Sequence, residues 1–217
     1  MVPRTGFLIA MTAIFAAGAT GGVADVLPSA LDPYTRTPEH MAAVMTHVRP
    51  YMAAVPSCIA GTAKRIRLIP MGPIDFNPDG SLLRGRWREV IKVDGCATTG
   101  LFNVMTVTDT AGTVHVVGLL PGSTNASPEL SRDGVGYAVS AAEGLAMRKG
   151  EPAGCAQINI LDTVFTAYGE IINKVTVPGR DPRSWTEAWT VKVCATQVVV
   201  KMTFVPDATG TSIVASG

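Results

Sequence analysis

The chain is 217 residues long, 47% hydrophobic and 16% charged, with 18 Lys and Arg against 17 Asp and Glu. So even a balance argues against a general nucleic-acid binder and against an acidic solvating tail. The 22 glycines and 15 prolines imply many turns without a collagen or disordered pattern, and the length leaves room for one large core or two ordinary ones.

The N-terminus places Arg4 ahead of an apolar run from Phe7 to Ala17, followed by small residues ending at Gly22-Val23-Ala24. This is the pattern of a secretory signal peptide over residues 1–24, with cleavage after Ala24. The apolar run falls short of the ~20 residues a membrane-spanning helix needs. No cysteine follows it, which argues against a lipid anchor. The expectation is a periplasmic or secreted chain with no transmembrane span after cleavage.

Thr37-Pro38-Glu39 opens the first helix: a hydroxyl N-cap, proline at the first helical position and an acid in the first turn. Met41, Val44, Met45, Val48 and Met52 form its apolar stripe. Cys58 follows, then a strand-like run from Arg65 to Ile69. Asp94-Gly95 is read as a hairpin turn joining Arg84–Val93 to Thr98–Thr108. Ser127-Pro128-Glu129 opens a second helix, with Leu130, Tyr137, Leu145 and Met147 as its stripe, weakened by Gly134, Gly136 and Gly144. Cys155 and a strand-like run over residues 157–161 come after it.

The most specific feature is a self-match at an offset of 98 residues. Trp87–Thr113 laid over Trp185–Thr211 without a gap gives ten identities in 27 positions: Trp87, Glu89, Val93, Cys96, Ala97, Thr98, Val107, Asp109, Gly112 and Thr113 fall on Trp185, Glu187, Val191, Cys194, Ala195, Thr196, Val205, Asp207, Gly210 and Thr211. Unrelated segments would give roughly two. The fold class expected is α+β, a tandem duplication of a helix plus an antiparallel β-meander, with repeats at 25–122 and 123–217. Its element order is similar to the cystatin type, a likeness that implies no function.

The halves also resemble a group of exported proteobacterial proteins with no assigned activity. Those carry a Trp-x-Glu-x-Trp-x-Val strand, a Cys and a Phe-x-Pro-Asp-x-x-Gly-Thr ending, here Trp185–Val191, Cys194 and Phe204–Thr211. The first half departs from the pattern, with Ile91 for the second Trp and Thr106 and Thr108 for Phe and Pro. The resemblance implies a bacterial envelope protein.

In an oxidising compartment the four cysteines should pair. The repeat selects Cys58–Cys96 and Cys155–Cys194 among three connectivities, each loop contributing about 3–4 kcal/mol. On the Trp-x-Glu strands, Trp185, Glu187, Trp189, Val191 and Val193 share one face, so Glu187 and its counterpart Glu89 lie on the apolar side. Such a carboxylate is either a structural acceptor or, with a raised pKa, a general acid of a hydrolase. The structural reading is preferred. Asp109 with Gly112, and Asp207 with Gly210, are turn residues.

The other face of the first-half strand carries Arg84, Arg86, Arg88 and Lys92, with Lys64, Arg65 and Arg67 nearby. Residues 59–93 hold these seven bases against Asp75, Asp79 and Glu89, a net of +4. Such a row suits an anionic glycan or lipid, or an acidic envelope protein. It also suits a solvated face or a protected edge. His40 and His47 beside Met41 and Met45 invite a copper reading, but two histidines without a third ligand are weak and methionines fill cores. His115 is read as a sheet residue. No Gly-x-Ser-x-Gly, His-Glu-x-x-His or phosphate-cradling loop is present. The expectation is therefore a binding, scaffold or accessory protein with no metal or cofactor. The alternatives are an inhibitor of a secreted enzyme and a hydrolase using Glu89 or Glu187.

Overall fold

The computed structural model describes residues 27–55, 58, 62–96, 98–172, 182–207 and 210–217; the signal-peptide expectation for 1–24 lies outside them. The chain is α+β with two four-stranded antiparallel sheets and a small ribbon. A short helix α1 (Leu31–Thr35) leads into α2 (Pro38–Ala54), and then come β1 (Ala63–Pro70), β2 (Asp75–Phe76), β3 (Leu82–Arg84), β4 (Arg86–Val93), β5 (Leu101–Thr108) and β6 (Val114–Gly118). The C-terminal half follows with α3 (Pro128–Arg148), β7 (Ile158–Ile171), β8 (Arg183–Val193), β9 (Thr196–Pro206) and β10 (Thr211–Ser216). Strand order is β1-β4-β5-β6 in the first sheet and β7-β8-β9-β10 in the second, while β2 and β3 pair alone.

Both long helices begin as their sequences direct. The Thr37 hydroxyl accepts from His40 N (3.3 Å), and the Ser127 hydroxyl accepts from Leu130 N (3.2 Å), each ahead of a proline. Helix α2 buries Val44 and Val48 against Ile91, Val93, Phe102 and Val104. Leu31, Ile74, Leu82 and Trp87 form a second small core where α1 and the ribbon close the open end of that sheet.

Helix α3 corrects half of the expected stripe: Leu130 and Leu145 pack against the core, but Tyr137 and Met147 do not. Its buried residues are Ser131, Gly134, Ala138, Ala142 and Ala146, whereas Tyr137 and Met147 are more than half exposed. The reason lies in the opposing sheet, which presents Trp189, Met202 and Phe204 toward the helix. With the bulk already supplied, only small side chains let the helix approach; the Trp189 ring would lie 3.0 Å from a Cβ at Gly134. Volume is complementary, so the helix looks weak when its own residues alone are read.

The cysteines pair as Cys58–Cys96 and Cys155–Cys194. The two central hairpins share a register: Trp87 lies opposite Thr106, and Trp185 opposite Phe204, 98 residues on in both strands. They differ at the tip. In the second half pairing closes to Val193↔Thr196. In the first it stops at Lys92↔Leu101, so the turn at Asp94-Gly95 opens a longer connection and β5 begins at Leu101 instead of Thr98. The opened loop is engaged elsewhere. Thr99 reaches the second half, where its amide (2.8 Å) and hydroxyl (2.7 Å) both donate to Asp162.

Candidate functional site

The two glutamates of the repeated motif are fully buried. Glu187 has every lone pair engaged that its surroundings offer. Oε1 accepts from Asn125 N (2.9 Å) and Trp185 Nε1 (3.0 Å), and Oε2 from Thr124 Oγ1 (2.8 Å) and Trp189 Nε1 (2.8 Å). It thereby ties the segment entering α3 to the strand beneath. Glu89 is held differently. Its Oε1 accepts from His40 Nε2 (2.6 Å) and Trp87 Nε1 (3.1 Å), while Oε2 makes no hydrogen bond and faces Arg65 Nη1 at 3.7 Å. His40 is thus committed to a carboxylate, and His47 packs against Gly118. His115 Nε2 meets Asp109 Oδ2 at 2.7 Å on an exposed strand. Among the described residues no group of three or more His, Cys, Asp or Glu could hold a metal ion.

The Asp-x-x-Gly-Thr turns form on their aspartates. Asp109 Oδ1 accepts from Ala111 N and Thr113 N (2.9 Å each) with Gly112 at φ +82°, and Asp207 Oδ1 accepts from Gly210 N (2.7 Å).

Of the row expected on one strand face, Arg86, Arg88 and Lys92 share a face of β4 and Arg84 does not. Arg84 belongs to the β2–β3 ribbon, where it pairs with Asp75, because β4 starts only at Arg86. Arg65 faces the helix side of the sheet and pairs with Asp32 (2.5 Å) and Thr35. A bulge explains this: Arg65 sits opposite Ile91 but Arg67 opposite Val90, so two steps along β1 match one along β4 and the facing parity switches. Lys92 Nζ donates to Thr99 O (2.5 Å), and Arg86 crosses to the second half to meet Glu129 (2.5 Å). Arg67 and Arg88 have no hydrogen bond or ion pair among the described residues.

Nor is the outer face of the first sheet open to solvent. Val90 and Asn103, on that face, are buried, because the connecting segment and β7 lie over them. Asn103 Nδ2 donates to Leu120 O (2.8 Å) and Gly122 O (2.9 Å), and Gly122 N donates back to Leu101 O (2.8 Å). Ser123 then forms a parallel bridge with Val164 of β7. The result is a cleft of about 440 Å³ between the halves, with Arg67 and Arg88 on one wall, Thr124 and Asn125 along the floor, and Phe165 and Tyr168 opposite. The two aromatic rings lie 4.9 Å apart, and Arg183 stacks 3.7 Å from the Tyr168 ring centroid.

The electrostatics of the cleft follow from this geometry. Burial of the Arg88 guanidinium, with Arg67 as a like charge beside it, holds its pKa below the ordinary arginine value. Its Nε is buried without an acceptor. An arginine stays charged in a protein, so the pair presents two positive charges to the cleft.

At the cleft's margin, Glu129 has its pKa lowered, first by its own backbone amide at the start of α3 and then by Arg86. A depressed carboxyl favours the folded state above the ordinary glutamate pKa, and that contribution disappears as pH falls through the depressed value. Carboxyl-carbon NMR should give Glu129 a midpoint below the ordinary ~4.3. Arg86→Ala should raise it only partway, since the helix amide remains.

Sequence reasoning named Arg67 and Arg88 but missed Asp162, Thr99 and Gly122, which build the cleft. Its one trace in the sequence is Pro121-Gly122, a turn pair at the boundary between the halves. No protein-family model, curated protein or solved structure matches the chain. Among the described residues no helix is long and apolar enough to cross a membrane.

Proposed function

We propose that this is an exported, tandemly duplicated binding protein that takes an anionic ligand in the cleft between its halves. The observation that carries the reading is the pair Arg67 and Arg88, adjacent in that cleft and without a carboxylate partner among the described residues, whereas Arg65, Arg84, Arg86 and Lys92 are engaged. Duplication is supported by the 98-residue offset common to sequence and hairpin register. Export is supported by the two disulfides and by the apolar N-terminal run.

A hydrolytic role for the glutamates has less behind it. A general acid must reach the atom it protonates, and both carboxyl groups are 0% exposed and held inside their own halves, Glu89 by His40 and the Trp87 indole, Glu187 by two indoles, Thr124 and the Asn125 amide. The candidate ligands remain acidic glycans, lipid headgroups or acidic partners, sharing an anionic group.

The test is titration of the protein with acetate and with inorganic phosphate at low ionic strength. Wild type should bind and weaken with salt, and Arg67→Ala/Arg88→Ala should lose binding at least tenfold while keeping its near-UV circular dichroism. Unchanged binding in the double variant would overturn the assignment of the cleft.

A further inference from the structure

Arg88 borders a second cavity as well as the cleft. This smaller chamber, of about 180 Å³, lies between α2, the connecting segment and α3; Tyr51, Leu119, Leu120, Ala126, Pro128 and Val135 form its apolar lining, and Arg132, beside Asp133, also borders it. Asn103 and Thr124 are also common to the two spaces. An apolar chamber therefore adjoins a cleft holding two cations, with one guanidinium at the junction.

Size limits what the chamber can hold. An apolar cavity of roughly 150 Å³ accepts benzene, so this one has room for about six carbons. The chemistry at the junction is equally specific. A guanidinium presents its donors as a planar fork, which a carboxylate matches with two parallel hydrogen bonds. Arg88 Nε, buried and lacking an acceptor, is one tine of that fork. Burying an apolar group of this size is worth roughly 1.5–3 kcal/mol, about tenfold to a hundredfold in affinity.

We propose that the cleft takes a small amphiphilic carboxylate, its carboxylate on Arg88 and Arg67 and a ring-sized apolar group in the adjoining chamber. This rests on the cleft reading above and adds the ligand class. Phosphate would satisfy the charge but fill nothing beyond it.

Calorimetric titration of the purified protein with phenylacetate, acetate, benzyl alcohol and inorganic phosphate tests it. Phenylacetate should bind at least tenfold more tightly than each of the other three. Arg88→Gln should remove most of that affinity. Val135→Phe, which fills the chamber, should bring phenylacetate down to the level of acetate; if that variant does not fold, Val135→Leu should narrow the gap between the two ligands by less. Acetate, phosphate and phenylacetate binding equally, all through Arg67 and Arg88, would overturn the amphiphilic ligand and leave the anion cleft standing. Binding of none of the anions would end both.

Discussion

Glu187→Gln should destabilise the protein by about 3 kcal/mol, the sum expected when buried donors lose their acceptor. The substitution changes no volume, so packing is not at issue. It replaces one carboxylate oxygen with an amide that must point its own hydrogens at existing donors. On the Oε1 side these are Asn125 N and Trp185 Nε1, and neither can reverse. On the Oε2 side Thr124 can rotate to accept, but Trp189 Nε1 cannot. Every orientation leaves at least one donor–donor contact in a site with no access to water. The melting temperature should fall by roughly 6–12 °C. Glu89→Gln is the internal control and should cost less. Its Oε2 has no hydrogen bond to lose and only the longer contact with Arg65 Nη1 (3.7 Å), so the amide can occupy that side while Oε1 still serves His40 and Trp87. Equal melting of Glu187→Gln and wild type would mean that the four donors do not depend on both carboxyl oxygens.

Gly122→Ala should be of similar size, on the order of 3 kcal/mol, combining about 1–2 for an L-residue at positive φ with about 1–3 for overpacking. Gly122 has φ +103°, and a Cβ there would collide with the backbone of Thr163 and with the Asp162 carboxylate. Neither neighbour can yield easily, because Thr163 is in a strand and Asp162 is bonded to Thr99. The connecting segment would have to lift, breaking the bond from Ser123 N to Thr163 O (2.6 Å) and deforming the cleft floor. Anion affinity should therefore fall together with the denaturation midpoint. In Asp162→Asn, which loosens the clasp without the collision, both should fall less. A Gly122→Ala protein with wild-type stability would mean that the two sheets are not held at this crossing.

What the sequence discloses and what it hides divide along physical lines. Helix starts are local chemistry, so Thr37-Pro38 and Ser127-Pro128 can be read from a few residues each. Strand parity is also local, and it places Glu89 and Glu187 on the buried face. Parity fails at Arg65, where a bulge shifts the register, because a bulge is decided by the pairing strand. The stripe of α3 is read only in part, at Leu130 and Leu145, for a related reason: Ala138, Ala142 and Ala146 are core residues only because Trp189 and Phe204 fill the space they leave. The cleft is the least legible part. It depends on Thr99 meeting Asp162, 63 residues later, and nothing near either residue signals the contact. Composition shows seven bases in one stretch but not which of them their neighbours neutralise.

The disulfides have a consequence for assembly. Taken along the chain, the first cysteine joins the second and the third joins the fourth, over separations of 38 and 39 residues. If the chain is exported as proposed, and so threaded N-terminus first into an oxidant, it needs only to link the first and third thiols each with the next to emerge. The native connectivity is then also the one that order of arrival favours, and no reshuffling by an isomerase is required. Thr99 must wait for Asp162, so the first unit can be covalently closed before its docking partner has been delivered.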